Sequence, residues 1–445
     1  MALVASAGPN HKAGRKGGRM ATGIDRSRLK AIIGGSAGNL VEWYDWYAYS
    51  VLSIYFAPVF FPDGDVTAQL LNTAAIFAVG FLMRPIGAWI MGIYADRHGR
   101  KSGLALSVGL MCAGSLLIAV APGYATIGVA APLLLVLARM LQGLSVGGEY
   151  GASATYLSEM ATRSARGFWS SFQYVTLIAG QLAALVTVLL LQLLLSDEAL
   201  DSWGWRVPFV IGAILALVVY ILRSRLAETE SFKSQPHDRP VSNARNLWRD
   251  HPREFILVAM ITAGGSMSFY AYTTYMQKFL VNTSGFDKQT ATAVMTAALV
   301  LFMAMQPFWG MASDRVGRKP LLLLFGVVGM AVTVPIFSAL ATVTSPVLAL
   351  ILILVPLSLL GAYTSISALI KAELFPAHIR TLGVSLPYAI GNTLFGGTAE
   401  YAALWFKRIG AESGFYWYLT IVIGVALVGF ILLPDTKHTS LIAED

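Results

Sequence analysis

Apolar stretches long enough to cross a lipid bilayer recur along nearly the whole chain and leave little room for a soluble fold. Twelve can be read, near 31–57, 70–94, 102–122, 127–151, 168–195, 206–222, 255–281, 289–312, 320–341, 346–371, 382–406 and 415–433. A helix rises about 1.5 Å per residue, so about 20 apolar residues span the hydrocarbon core. Stretches such as Leu182–Leu195 and Leu348–Leu360 are apolar nearly all round, whereas a helix on a soluble core keeps a polar face at a period of 3.6. Composition agrees, with 13% of residues charged and 56% hydrophobic, against roughly 25% charged in soluble domains. The short alternating segments of a membrane barrel are not found. The expected fold is an all-α integral membrane protein with twelve transmembrane helices. The basic start, with His11, Lys12, Arg15, Lys16 and Arg19, leads into no short apolar core and cleavage site, so no cleaved signal peptide is expected.

Cations set the expected orientation. When loops are assigned to alternate faces, 24 of the 32 Lys and Arg residues collect on one side, chiefly in 12–30, 97–101, 223–253 and 315–319. The loops of the other side hold Lys288, Lys407 and Arg408. The positive-inside rule then puts both termini in the cytoplasm, as an even number of spans requires, in a bacterial-type cytoplasmic membrane. The net charge of +8 is thus read as topology, and no nucleic-acid partner is expected. The one cysteine, Cys112, lies within an apolar span, cannot form an internal disulfide and reads as filler.

The chain repeats itself. Gly92-Ile-Tyr-Ala-Asp96-Arg97-His98-Gly99-Arg100-Lys101 returns 218 residues later as Gly310-Met-Ala-Ser-Asp314-Arg315-Val-Gly317-Arg318-Lys319. Glu159 with Arg166 is echoed by Glu373 with Arg380, seven apart in both places. Two pseudo-symmetric six-helix bundles follow, 31–222 and 255–433, with tails at 1–30 and 434–445 and a polar linker at 223–254. The repeated aspartate suits a helix N-terminus and an arginine partner, bonds that form in one tilt of the halves and break in the other. Asp96, Arg97, His98, Arg100, Asp314, Arg315 and Arg318 are the candidates for such bonds. The plainer reading is that these cations only enforce topology.

The repeated motif resembles the loop signature of the major facilitator superfamily, and this resemblance implies that these candidates form a cytoplasmic gate. Asn39-Leu-Val-Glu42-Trp43-Tyr44-Asp45-Trp46-Tyr47, Phe81-Leu-Met-Arg84-Pro85-Ile-Gly87 and Arg139-Met-Leu-Gln142-Gly143-Leu-Ser-Val-Gly147-Gly148-Glu149 narrow the resemblance to its metabolite:proton symporter family, over nearly the whole chain. Thr273-Thr274-Tyr275-Met276-Gln277-Lys278 and Gly396-Gly397-Thr-Ala-Glu400-Tyr401 are most similar to its ketoglutarate branch. The resemblance implies alternating-access symport of a dicarboxylate such as α-ketoglutarate with a proton, by a monomer in lipid, without a cofactor. It leaves citrate, shikimate, and proline or betaine as alternative substrates. A transporter-like membrane sensor is the alternative of another class.

Charges inside the membrane need an explanation, since each costs at least ~2.5 kcal/mol even on lenient insertion scales. Counting along the spans puts Glu42, Asp45, Arg84 and Arg139 near mid-membrane, Lys278, Glu149 and Lys371 nearer the surfaces, and Glu400 between. The four central charges read either as structural ion pairs or as a coupling device. In the second reading, protonating Glu42 or Asp45 releases an arginine to hold a substrate carboxylate. Arg84 and Arg139 are the expected clamp for one end of the substrate, because a guanidinium forks onto a carboxylate. Tyr270, Thr274 and Lys278, four apart on span seven, are candidates for the other end. Lys278 reads equally as a snorkelling residue. Gln173 and Gln181 line the cavity or tie helices together, Glu400 balances Lys278, and Gly143, Gly147 and Gly151 suit close helix packing. Enzyme and metal signatures are not found, so neither catalysis nor a metal site is expected.

Overall fold

The computed structural model describes residues 26–98, 100–147, 150, 154, 158, 165–224, 244–376 and 379–442, with the side chains of 26–38, 92–93, 95–98, 100–105, 222–224 and 438 outside the description. Twelve long helices stand among the described residues: α1 Arg26–Phe60, α2 Val66–His98, α3 Arg100–Val120, α4 Ala130–Val146, α5 Arg166–Leu194, α6 Val207–Ser224, α7 Pro252–Asn282, α8 Lys288–Val316, α9 Arg318–Leu340, α10 Pro346–Glu373, α11 from Arg380–Gly391 to Ala399–Arg408, and α12 Glu412–Leu432. Eight helical stretches within this set are individually long and apolar enough to cross a membrane, while α3 and α4 contribute the shorter apolar stretches Leu106–Val120 and Ala130–Val146.

The sequence duplication is matched by duplicated packing. In the first half α1 packs on α5, α2 on α4, and α3 on α4 and α6; in the second, α7 packs on α11, α8 on α10, and α9 on α10 and α12. The halves meet along α5 against α8 and along α2 against α11, two contacts that the same pseudo-symmetry relates.

Local sequence explains the helix ends and the tight contacts. Asp287 caps α8 by accepting from the Thr290 backbone N–H at 2.8 Å. Ser345 caps α10 ahead of Pro346 at its first turn. Between α8 and α9, Gly317 adopts φ +101°, and any side chain there would meet the Asp435 carboxylate, so the motif glycine is required twice over. Along the α2–α4 seam, a methyl group on Gly143 or Gly147 would enter the backbone of Gly80 or Arg84, so these glycines set the helix separation.

Two π-helical segments interrupt the second half, Tyr270–Tyr275 in α7 and Asn392–Gly396 in α11. Each widens the hydrogen-bonded turn to i→i+5. Tyr270, Thr274 and Lys278 therefore do not form the straight four-residue stripe expected of a regular helix.

Candidate functional site

Glu42, Asp45, Arg84, Arg139, Gln173, Tyr270, Thr274 and Lys278 are all buried, and the charged side chains of the structure gather in three groups. The first surrounds Trp46. The Arg84 guanidinium carbon lies 4.1 Å from both the Trp46 and Phe81 ring centroids, and that of Arg139 lies 3.9 Å from Trp46 and 4.7 Å from Tyr49. Aromatic faces thus answer part of both charges. Nε and Nη2 of each arginine have no hydrogen-bond partner among the described residues.

Instead of the expected carboxylate–guanidinium pair, an amide joins Asp45 to Arg139. Arg139 Nη1 donates to Gln142 Oε1 at 2.7 Å, and Gln142 Nε2 donates to Asp45 Oδ2 and to Ser115 Oγ. Arg139 and Gln142 stand one turn apart on α4, so a single helix presents both. Asp45 Oδ1 points at Gly212 of α6, where a Cβ would meet it at 2.6 Å. Asp45 therefore lies inside the first bundle, and Gln142 links it to Arg139. Glu42 is buried one turn earlier on α1.

The second group joins the halves at the end opposite the repeated motif. Lys278 Nζ pairs with Glu400 Oε1 at 2.6 Å, and both side chains are buried. Ser50 of α1 accepts from Lys278 at 2.7 Å and donates to Glu400 Oε2 at 3.0 Å. Lys278 is thus a paired interior charge and does not snorkel. The expectation that Glu400 balances it agrees with this geometry. Asn282 to Thr67 at 3.2 Å and Lys288 to Asp201 at 3.0 Å add further bonds across the same end.

The third group closes the motif end. Both Asp314 oxygens accept from the first turn of α5, from the Gly167 and Phe168 N–H groups at 2.8 and 3.0 Å, where a helix N-terminus favours an anion. Arg318 pairs with Asp314 at 3.0 Å and lies 3.6 Å from Glu373. Arg315 is exposed, and its carbonyl accepts from Lys437. The side chains of Asp96, Arg97, His98 and Arg100 lie outside the described residues, as do Glu149 and Gly151. The chain end returns over this face: Arg166 donates to Ser440, Leu441 N–H to the Glu373 carbonyl, and Ile442 is buried beside Tyr150 and Tyr388.

Where the halves meet lies a small cleft walled by Trp43, Arg84, Val146, Gly147 and Tyr150 from the first half and Ser385, Tyr388 and Ala389 from the second. Tyr270, on the π segment of α7, is buried with its hydroxyl facing Arg84, Asn392 and Tyr47. Thr274 sits beside the Thr273 hydroxyl at 3.4 Å. Gln173 is buried on α5.

Lys371, expected near the membrane surface, is wholly buried within the protein against Tyr150, Ser367 and Tyr388. Counting depth along α10 cannot register the cover that Tyr150 and Ile442 place over that helix end. Sequence reasoning also missed Ser50 and the bridging role of Gln142. The i,i+3 spacing from Arg139 was the available sign of the second, whereas a lone serine in an apolar span gave no sign of the first.

The Major Facilitator Superfamily model matches residues 39–386 and 266–443. The chain belongs to the major facilitator superfamily. It is 54% identical over 411 residues to the alpha-ketoglutarate permease of Escherichia coli (strain K12), covering 92% of this chain and 94% of that one. It is 35% identical over 402 residues to a citrate-proton symporter of Salmonella typhi, covering 87% and 90%. A crystal structure of a D-xylose-proton symporter superposes with a TM-score of 0.75 at 18% identity, over 93% of this chain and all of that one. That likeness is one of fold. The transporter fold expected from the sequence is therefore the fold of the superfamily, and the cleft occupies the interface between its two bundles.

Proposed function

We propose that this transporter carries α-ketoglutarate, or a dicarboxylate of that type, together with protons by alternating access. The carrying observation is the pair of buried guanidiniums, Arg84 and Arg139, whose Nε and Nη2 groups lack partners among the described residues, with Arg84 on the wall of a cleft between the halves, in a chain 54% identical to an alpha-ketoglutarate permease. Free guanidinium donors in a site of low dielectric constant suit a carboxylate. Tyr270, Thr274 and Gln173 supply polar walls. Proton coupling follows from the Asp45–Gln142–Arg139 chain: neutralising Asp45 removes the anion that orders Gln142, and Arg139 turns its charge toward the substrate. Glu42, one turn away, adds a second acid. Substrate and proton then favour each other's binding.

Lys278 and Glu400 with Ser50 form the outer closure in this reading. Asp314, Arg315 and Arg318, with Asp96, Arg97, His98 and Arg100 of the duplicate motif, form the cytoplasmic gate. The cation-rich motif end and both termini then face the cytoplasm. The chain works as a monomer in the inner membrane, needs no cofactor beyond the proton gradient, and makes and breaks no covalent bond.

The test is uptake of labelled α-ketoglutarate by proteoliposomes, with an inward proton gradient and with it collapsed, against unlabelled citrate, succinate, shikimate and proline. Gradient-driven uptake blocked by dicarboxylates is the expected result. Gradient-driven uptake of citrate or proline in its place would replace the substrate and keep the mechanism. Folded protein that moves none of them would end the reading.

A further inference from the structure

Two lysines are buried within the membrane-spanning bundles, and they differ in one respect. Lys278 has Glu400 at 2.6 Å. Lys371 has no carboxylate partner among the described residues. Its Nζ reaches two hydroxyls, Ser367 Oγ at 2.9 Å and Tyr150 at 3.3 Å, and lies 4.4 Å from the Tyr388 ring centroid. An ammonium carries three N–H donors, so two hydroxyl partners leave one donor without a hydrogen-bond partner among the described residues. A lone buried cation is costly unless an anion joins it.

The position of this lysine makes it useful. Tyr150 and Tyr388, which contact it, stack at 3.6 Å and belong to the wall of the same cleft that Arg84 lines. Arg84 comes from α2 in the first half, and Lys371 from α10 in the second. The cleft therefore has on one bundle a guanidinium, and beside its aromatic wall on the other an ammonium, with donors that lack partners among the described residues. Lys278 cannot serve in the same way without first surrendering Glu400.

We propose that Lys371 holds the second carboxylate of a dicarboxylate whose first carboxylate lies on Arg84. This deepens the function proposed above and rests on it. A substrate held in this way bridges the two bundles by charge, so a molecule with one carboxylate satisfies only one of them. Lys371 is then the residue that selects dicarboxylates over monocarboxylates.

The experiment compares binding of α-ketoglutarate with binding of 2-oxopentanoate, the same skeleton with a methyl group in place of the second carboxylate. The full-length protein in nanodiscs is used as wild type, Lys371→Met and Lys371→Gln; the glutamine keeps a donor for Ser367 and Tyr150 but lacks the charge. Wild type should prefer α-ketoglutarate by about ten- to hundredfold, the worth of one charge-assisted hydrogen bond. Either variant should lose that preference while binding 2-oxopentanoate as wild type does. A folded variant that keeps the wild-type preference, or that weakens both ligands equally, overturns the assignment of Lys371 and leaves the substrate reading intact. A wild-type protein without preference for the dicarboxylate overturns the substrate reading, and this assignment with it.

Discussion

Replacing Ser50 by alanine should open the end of the transporter opposite the repeated motif. In the closed arrangement the Ser50 hydroxyl accepts from Lys278 at 2.7 Å and donates to Glu400 at 3.0 Å. Both bonds involve charged groups and both cross between the halves, because Ser50 lies on α1 whereas Lys278 and Glu400 lie on α7 and α11. A hydrogen bond to a charged group contributes about 1.5 kcal/mol at the low end of the measured range. Losing one or both then shifts the closed-to-open ratio by about tenfold to hundredfold, at 1.4 kcal/mol per factor of ten. The Lys278–Glu400 pair survives the change, so the fold should not suffer as it would if one ion were removed. The assay is a spin-label distance between Asp63→Cys and Thr344→Cys, two exposed positions at that end on opposite halves, with Cys112→Ser to clear the background. Ser50→Ala should enlarge the long-distance population by that factor, and Ser50→Thr, which keeps the hydroxyl, should not. A Ser50→Ala distribution that superposes on the parent would refute the claim that this hydroxyl ties the halves.

Three further outcomes follow from the same contacts. Asp314→Asn removes the anion held by the Gly167 and Phe168 N–H groups and by Arg318, and should enlarge the open population at the motif end by about tenfold, read by spin labels placed there. Gly147→Ala puts a methyl group into the backbone of Arg84 and should cost about 1–3 kcal/mol, with a lowered melting temperature and weaker substrate binding, since Arg84 is displaced with it. At the α8 cap, bonding to Thr290 holds the Asp287 carboxyl below the usual carboxylate range. The cap's stabilisation should therefore be present in full above the ordinary aspartate pKa and fade as pH falls through the depressed one; Asp287→Ala should cost about 1 kcal/mol at neutral pH in thermal unfolding and little in strong acid.

The fold was legible because lipid imposes a length and a polarity on every spanning helix, and the duplicated Gly310–Lys319 motif exposed the symmetry before any contact was known. The central charges were legible for the same reason: Asp45, Arg84 and Arg139 stand out in apolar sequence, and the structure gathers all three around Trp46 and Gln142. What stayed hidden depends on helix irregularity or on contact between the halves. The π segments at Tyr270–Tyr275 and Asn392–Gly396 break the 3.6 periodicity from which stripes are read. The expected stripe Tyr270-Thr274-Lys278 runs through the first of them. Residues like Ser50 and Tyr150 acquire their importance from partners more than 200 positions away in sequence, and no local pattern records that.

The two closures share a design that bears on how a protein of this fold can alternate at all. At the far end the ion pair, Lys278 with Glu400, lies wholly in the second half, and the partner from the first half is a neutral hydroxyl. At the motif end the pair, Asp314 with Arg318, again lies in the second half, and its partners from the first half are two backbone amides. Opening either end therefore breaks hydrogen bonds to a buried ion pair without pulling that pair apart; the opposite charges that do part at the far end are the exposed Lys288 and Asp201. Pulling apart a buried ion pair leaves each charge uncompensated, and breaking such a pair costs about 3–5 kcal/mol. Withdrawing a hydroxyl or an amide from an intact pair costs about 1.5–3 kcal/mol per bond, and entering water replaces part of it. Each closure is thus strong enough to hold its end shut and weak enough for the other end, or a bound substrate, to reverse it. In the substrate assignment proposed above the centre follows the opposite rule: Arg84 of the first half and Lys371 of the second are bridged by the two carboxylates of the substrate.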